Sequence, residues 1–393
     1  MLADRDRPSA PDGTTPTRVL WLIKGLGAGG AETLLLLWAK VRDRRRFAYE
    51  TAFVLPRKTA LVEPMREAGV PVSCLDGGRE WDVRWLFRLR RLLRERRPDL
   101  VHVHSPYVAG FTRLVVRSLP RRDRPRLLTS EHLPWSGYAP PTRMLNALTY
   151  RLDDAHVAVS HAVLTSIPSR LVDGTRVIRT GVDVAAIRGH RGERERIRAT
   201  LGLEPGHLVI GTVANFRPQK DYPTLLRAAA RVADAHPHVR FVAVGDGPLE
   251  HEIVRLRDEL SLQDTFLLLG RRDDPARVLA ACDVFVLASQ FEGLPLALME
   301  ALAMGLPIVA TSSAGVRECV TDDQEALLVP VGDAAALAAA LARAIEDPGL
   351  RERLARGAEE AAAGFDIARM AGEIEALYAE LAGAPARGRV QDG

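Results

Sequence analysis

The stretch VFVLASQFEGLPLALMEALAMGLPIVA, from Val284 to Ala310, decides how the rest of the chain reads. Its two apolar runs, Val284–Ala288 and Pro307–Ala310, have the composition of strands buried on both faces of a parallel sheet. Apolar residues between them recur at helical spacing, so the order is strand, loop, helix, strand. Glu292 falls in the loop, Pro295 in the first helical turn, where a missing N–H is tolerated, and Glu300 further along the helix. The amides of Gly293, Leu294 and Leu296 then point outward at a helix N-terminus, an arrangement suited to a diphosphate. At 1.5 Å per helical residue the two carboxylates stand about 10–12 Å apart. They cannot share a proton, so each has its own task.

Upstream, His207–Ala214 (HLVIGTVA) reads as a strand and Tyr222–Ala235 as a helix, with Asn215-Phe-Arg-Pro-Gln-Lys-Asp221 in the turn between them. Arg217 and Lys220 are two cations beside the free amides of a helix N-terminus, a second diphosphate-binding arrangement; a surface pair of Lys220 with Asp221 is the structural alternative. Further strands are expected at Val239–Val244, Phe266–Gly270 and Leu327–Pro330, and a covering helix at Asp333–Ile345. Asp273 and Asp274, adjacent carboxylates with no third partner, read as a helix N-cap and not as metal ligands.

The first half repeats the strand and helix alternation. Arg18–Lys24 reads as a strand, GLGAGGAE (Gly25–Glu32) as a glycine loop and Thr33–Val41 as a helix, the opening of a nucleotide-binding α/β unit. The spacing is not the dinucleotide fingerprint. Gly29 and Gly30 either let the backbone approach a ligand or serve a structural turn. Strands recur at Glu50–Leu55, Val70–Leu75, Leu100–His104 and Arg126–Ser130, a spacing that parallel sheets with right-handed crossovers require. In Trp81–Arg97 the stripe Trp85, Leu86, Leu89, Leu92 and Leu93 is free of arginine while arginines cover the remainder; a sheet-packing helix is favoured over a membrane-interface one. His102, His104 and His132 lie at strand ends, where ligands of parallel sheets bind. They lack a carboxylate or cysteine spaced to complete a metal site, so no metal is expected.

At 393 residues the chain is too long for one core, which predicts two domains. Cys74, Cys282 and Cys319 lie far apart, as small thiols in a reducing compartment do. There is no apolar run near 18 residues and no secretion signal, so a soluble cytoplasmic protein is expected. Residues 1–180 hold 31 Lys and Arg against 18 Asp and Glu, whereas the remainder is net acidic. A basic half suits an anionic membrane leaflet or a phosphorylated acceptor, or reflects an arginine-rich composition alone. Nucleic acid is not expected, because zinc-finger cysteines, a recognition-helix motif and an aromatic stacking platform are all missing.

The two glutamates in their setting EGLPLALMEALAMGLPIVAT resemble the signature of the large retaining glycosyltransferase family 4. DLVHVHS (Asp99–Ser105), TGVD (Thr180–Asp183), GDGP (Gly245–Pro248) and TSSAGVRE (Thr311–Glu318) resemble further segments of that family, and the likeness runs from about residue 18 to 381. The resemblance implies an α/β GT-B fold, two Rossmann-like doubly wound parallel-sheet domains facing each other across a cleft. The expected division is a disordered tail at 1–17, an acceptor-binding domain at 18–183, a linker at 184–206, a nucleotide-sugar-binding domain at 207–365, a helix at 366–381 crossing back to the first domain, and a tail at 382–393. It also implies that His132 is an active-site histidine, that Gly29 and Gly30 close on phosphates and acceptor, and that Gly270 and Arg271 lie near the nucleobase. The family arginine falls at position 215, where this chain has Asn215, which leaves Arg217 or Lys220 to supply the charge.

The expected function is transfer of a sugar from a UDP- or GDP-sugar to a sugar, lipid-linked or small-molecule hydroxyl acceptor, without a metal or other cofactor. Retention of configuration is implied by the resemblance, as is work in cell-surface polysaccharide or glycoconjugate synthesis. Lys220, Arg217 and the helix amides stabilise the departing diphosphate in this scheme. Glu300 takes the ribose hydroxyls and Glu292 holds the sugar. Peripheral placement at the inner face of the plasma membrane is the expected alternative to a freely cytoplasmic protein. Rival readings are a nucleotide-sugar 2-epimerase of the same fold, a glycosidase with two carboxylates flanking one bond, and a non-catalytic scaffold on membranes built on the basic half.

Overall fold

The computed structural model describes residues 15–27, 29–78 and 82–383. The expected tails at 1–17 and 382–393 lie almost wholly outside them, as do Ala28 of the glycine loop and Trp81. The described chain forms two compact units, one of residues up to Arg179 plus those from Ile367 onward, the other Thr180–Asp366.

The first unit is built on a seven-stranded parallel sheet. Its strands are β1 (Thr17–Ile23), β2 (Phe47–Phe53), β3 (Val72–Cys74), β4 (Leu100–Val103), β5 (Arg126–Glu131), β6 (Ala155–Ala158) and β7 (Thr175–Val177), in the order β3-β2-β1-β4-β5-β6-β7. Chain direction across the sheet reverses between β1 and β4, and in such sheets the crevice beyond the carboxyl ends at that point receives ligands. The helix Arg84–Arg96 buries Trp85, Leu89 and Leu93 against this sheet, which settles it as a sheet-packing helix. Its C-terminus is closed by Arg97 in the left-handed region at φ 46°.

The terminal helix Ile367–Gly383 belongs to this first unit. It inserts Tyr378 among Trp21, Trp38, Tyr49 and Phe47, with ring centroids 5.7–6.4 Å from its own for the last three. Tyr378 Oη accepts a hydrogen bond from Trp21 Nε1 at 3.1 Å. Glu375 accepts one from Tyr49 Oη at 2.6 Å and one from the Asp43 amide at 3.0 Å. Burial of one aromatic cluster, with its polar edges satisfied, holds the helix in place.

The second unit has a six-stranded parallel sheet of β8 (Leu208–Val213), β9 (Val239–Val244), β10 (Phe266–Leu268), β11 (Val284–Leu287), β12 (Ile308–Thr311) and β13 (Ala326–Val329), ordered β10-β9-β8-β11-β12-β13. Here the direction reverses between β8 and β11. The helix Tyr222–Ala235 caps its start with Asp221, which accepts from Thr224 Oγ1 at 2.9 Å, and buries Leu225, Leu226, Ala229 and Val232. Residues 184–206, expected as a linker, hold the helices Val184–Gly189 and Arg194–Thr200 within this unit. Arg194 reaches the Cys282 carbonyl and Asp283, contacts that composition alone did not reveal. Asp274 sits at the expected N-cap, but its side chain takes no capping bond and accepts from Arg272 Nε at 2.8 Å instead.

Candidate active site

The loops leaving β8 and β11 flank the reversal point of the second sheet, and they carry Lys220 and Glu292. Lys220 closes the short turn Pro218–Lys220 after β8. Its ammonium lies 2.5 Å from Glu292 Oε1, with the side chains only 16% and 6% exposed. A backbone bond from the Gln290 amide to the Gln219 carbonyl, 2.8 Å, ties the same loops together one residue before Lys220 and two before Glu292. Two charges so far from solvent need each other. Glu292 Oε2 and two ammonium protons remain for a ligand.

Beyond Glu292 the chain turns into the helix Leu296–Met304, with Pro295 at its N-cap, one position earlier than expected. No side chain caps this end. The amides of Gly293, Leu294 and Leu296 donate to no acceptor among the described residues, which is the donor set an anionic group would complete. Gly305 ends the helix at φ 77°, and Arg191 Nε donates to the last carbonyl, that of Met304, at 2.9 Å. Glu300 is half-buried on this helix, with no ion pair among the described residues, and desolvation pushes its carboxyl up to about 7.

Sequence reasoning missed the groups packed behind that loop. Gly315, in the helix Ala314–Arg317 after β12, abuts it so closely that a Cβ would lie 2.5 Å from the Gly293 carbonyl oxygen and 2.6 Å from that of Glu292. Ser289 Oγ and Ser313 Oγ are buried without a hydrogen-bond partner among the described residues. The signal for Gly315 was its place in the TSSAGVRE turn; nothing local marked Ser289. Arg217 is exposed and forms no ion pair among the described residues. Gly270 adopts φ 64°, and its carbonyl accepts from the Gly245 amide at 3.0 Å, at the far end of the same sheet edge. Arg271 pairs with exposed Asp273 at 3.6 Å. Gly270 and Arg271 thus stand in the loop that follows β10, a strand separated from β11 by β9 and β8.

In the first unit the carboxyl ends of β1, β4 and β5 gather the glycine loop and the histidines. Gly29 is the N-cap of the helix Gly30–Val41. His104 Nδ1 is 3.2 Å from His132 Nε2. His102, behind them, is 2.6 Å from Tyr378 Oη by Nδ1 and 2.7 Å from Ser130 Oγ by Nε2. Burial draws His132 down to about 4 and holds His102 and His104 well below the ordinary imidazole range, so all three are neutral at pH 7. The loop after His132 is pinned by Tyr138, whose hydroxyl donates to Glu131 Oε2 at 2.9 Å and accepts from the Leu133 amide at 3.3 Å. Among the described residues no group of three or more His, Cys, Asp or Glu side chains is gathered to hold a metal ion.

Paired, reversing parallel sheets with a phosphate-type donor set beside a buried Lys–Glu pair define a GT-B glycosyltransferase architecture. The family model of glycosyl transferases group 1 matches residues 193–361, and that of glycosyltransferase family 4 matches residues 28–186. The chain belongs to this family and is a glycosyltransferase. It is 27% identical over 342 residues, 83% of its own length and 87% of the relative's, to the Escherichia coli UDP-Gal:alpha-D-GlcNAc-diphosphoundecaprenol alpha-1,3-galactosyltransferase. Among solved structures it is similar to Anabaena HepE, whose crystal contains UDP and glucose, at TM-score 0.81 and 21% identity over 92% of this chain and 99% of that one. The sucrose-phosphate synthase of Thermosynechococcus elongatus aligns at TM-score 0.78 and 21% identity, covering 93% and 99%.

Proposed function

We propose that the protein moves a sugar from a nucleoside-diphosphate sugar to a hydroxyl acceptor, with retention of configuration and without a metal. The observation that carries this reading is Lys220 paired to Glu292 at 2.5 Å beside the open amides of Gly293, Leu294 and Leu296. The leaving diphosphate draws on the Lys220 ammonium, the exposed Arg217 guanidinium and those amides, which offset its growing charge as a metal ion would. Glu292 takes sugar hydroxyls and Glu300 the ribose hydroxyls. Gly270 and Arg271 are assigned to the nucleobase edge. His132, Gly29 and Gly30 of the first unit are assigned to a sugar hydroxyl and to the acceptor side.

The Escherichia coli relative acts with UDP-galactose on a diphosphoundecaprenol-linked sugar. That favours a UDP-sugar and a lipid-diphosphate-linked acceptor here, in cell-surface polysaccharide or glycoconjugate synthesis. Peripheral contact with the bilayer is supported by the helix Pro140–Thr149, where Met144 and Leu148 are 64% and 77% exposed next to exposed Arg143. Large exposed apolar side chains beside an arginine suit peripheral contact with an anionic leaflet. Among the described residues no helix is long and apolar enough to cross a membrane.

The test is product formation from a panel of UDP- and GDP-sugars, with and without EDTA, using a polyprenyl-diphosphate sugar acceptor. Turnover that survives EDTA and leaves the anomeric centre unchanged agrees with the reading. Inversion, or absolute dependence on added Mg²⁺ or Mn²⁺, overturns those parts of it. Loss of vesicle binding in Met144→Glu/Leu148→Glu tests the membrane face.

A further inference from the structure

His104 lies at the end of β4, a place that suggests contact with an acceptor or with backbone and no part in catalysis; it is 4% exposed and its Nδ1 meets His132 Nε2 at 3.2 Å. The other nitrogen, Nε2, is buried and meets no hydrogen-bond partner among the described residues. A neutral imidazole carries one proton. On Nε2 that proton would be a buried N–H with nothing to accept it, an arrangement folded proteins rarely tolerate; a bare ring nitrogen there is far less costly. On Nδ1 the proton reaches His132 Nε2, which must then be the bare acceptor, leaving the His132 proton on its own Nδ1.

We infer that His104 is a positioning residue that donates from Nδ1 to His132 Nε2 and thereby fixes His132 as the Nδ1–H tautomer. His132 then offers its ligand a hydrogen-bond donor and not a base. The assignment of that ligand as a sugar rests on the function proposed above; the tautomer does not. The ring of His102 supports the arrangement from behind, its centroid 4.0 Å from that of His104 and its own nitrogens occupied by Tyr378 and Ser130. Its neighbour therefore has no second imidazole proton to accept. A donor at His132 suits contact with an oxygen that gains electron density, whereas a bare nitrogen there would suit proton abstraction.

The experiment is ¹⁵N nuclear magnetic resonance of the histidine side chains in the full chain at pH 7.5, with His132 assigned by its disappearance in His132→Asn. The tautomer is expected as Nδ1–H in the wild-type protein and in His104→Asn, whose amide nitrogen occupies the place of Nδ1. It is expected as a mixture or as Nε2–H in His104→Phe. Nε2–H at His132 in the wild-type protein overturns the inference, and so does an unchanged tautomer in a folded His104→Phe protein. The wild-type spectrum needs no variant to fold. Transfer assays add the functional consequence: kcat falls about 10- to 100-fold in His104→Phe, as for removal of an orienting partner, with the donor KM little changed and activity restored in His104→Asn. Full transfer activity in His132→Asn with the Nδ1–H tautomer confirmed would sink the sugar-contact reading and leave the tautomer standing.

Discussion

Lys220 and Glu292, 72 positions apart, meet at 2.5 Å in the second unit, joining the two loops that leave its central strands. In the function proposed above, one is assigned to phosphate and the other to the sugar. As a buried pair they are a single element whose members hold each other in place until a ligand arrives.

Removal of one partner strands the other charge, which costs about 3–5 kcal/mol for a buried pair. Partial exposure of Lys220 places this site toward the lower end. Lys220→Met and Glu292→Gln should each lower stability in urea and abolish transfer, while Lys220→Met/Glu292→Met recovers much of the stability and none of the activity. A double variant no more stable than the sum of the singles would show that the two side chains do not couple.

Gly315→Ala places a methyl against backbone oxygens at 2.5 and 2.6 Å, and neither can rotate away. The Glu292 loop has to move, and a displacement near 1 Å in a catalytic loop lowers kcat about 100-fold. Gly372→Ala is the control, since nothing lies within 4 Å of a Cβ there. In that helix the change should raise stability by about 0.5–1 kcal/mol, measured by thermal denaturation with activity retained.

Glu300 sets a pH dependence. Its folded carboxyl titrates at about 7 against an ordinary 4.5, so its contribution to stability is full below 4.5 and is lost as pH rises through 7. Nucleotide binding that uses the carboxylate runs the other way: affinity for UDP should climb from pH 6 to 7.5 and then level off. Calorimetry across that range reads it, and Glu300→Gln should bind weakly with no such rise.

Buried neutral imidazoles make the first unit acid-sensitive. His132 titrates at about 4 when folded and at 6.5 ordinarily. Between those values the unfolded chain binds the proton and the folded one does not, so stability falls as pH drops from 6.5 toward 4. That difference corresponds to about 3 kcal/mol at most. Urea unfolding at pH 7 and pH 5 should show the loss, and His132→Asn should reduce it.

Tyr378→Phe removes the hydroxyl that accepts from Trp21 and contacts His102. Two buried polar groups lose their partner, for about 1–3 kcal/mol each. The melting temperature should fall accordingly, while a variant lacking only the exposed Arg176–Glu380 pair at the same helix should change little.

Much of the fold was written locally. The apolar runs located every strand except β6 and β7 to within a few residues, and the helix Tyr222–Ala235 was placed at its observed ends, because Asp221 and Pro223 mark its start. The helices Arg194–Thr200 and Pro348–Ala362 were not legible, since their apolar residues are few and their polar ones satisfy partners elsewhere in the unit. Glu292, Lys220 and the amides after Glu292 stood out because motif and spacing are local properties. What they touch did not.

From the residues alone came a parallel α/β chain in two parts, a helix N-terminus built for an anion, and the list of charged side chains near it. Only the folded arrangement decided that Lys220 pairs with Glu292 and not with Asp221, that Gly315 backs the Glu292 loop, and that His104 meets His132. The physical reason is strand order. Periodicity and capping act over a few residues, whereas the sheet brings β8 beside β11 and β4 beside β5, and contacts across those neighbours depend on a register that no single segment contains.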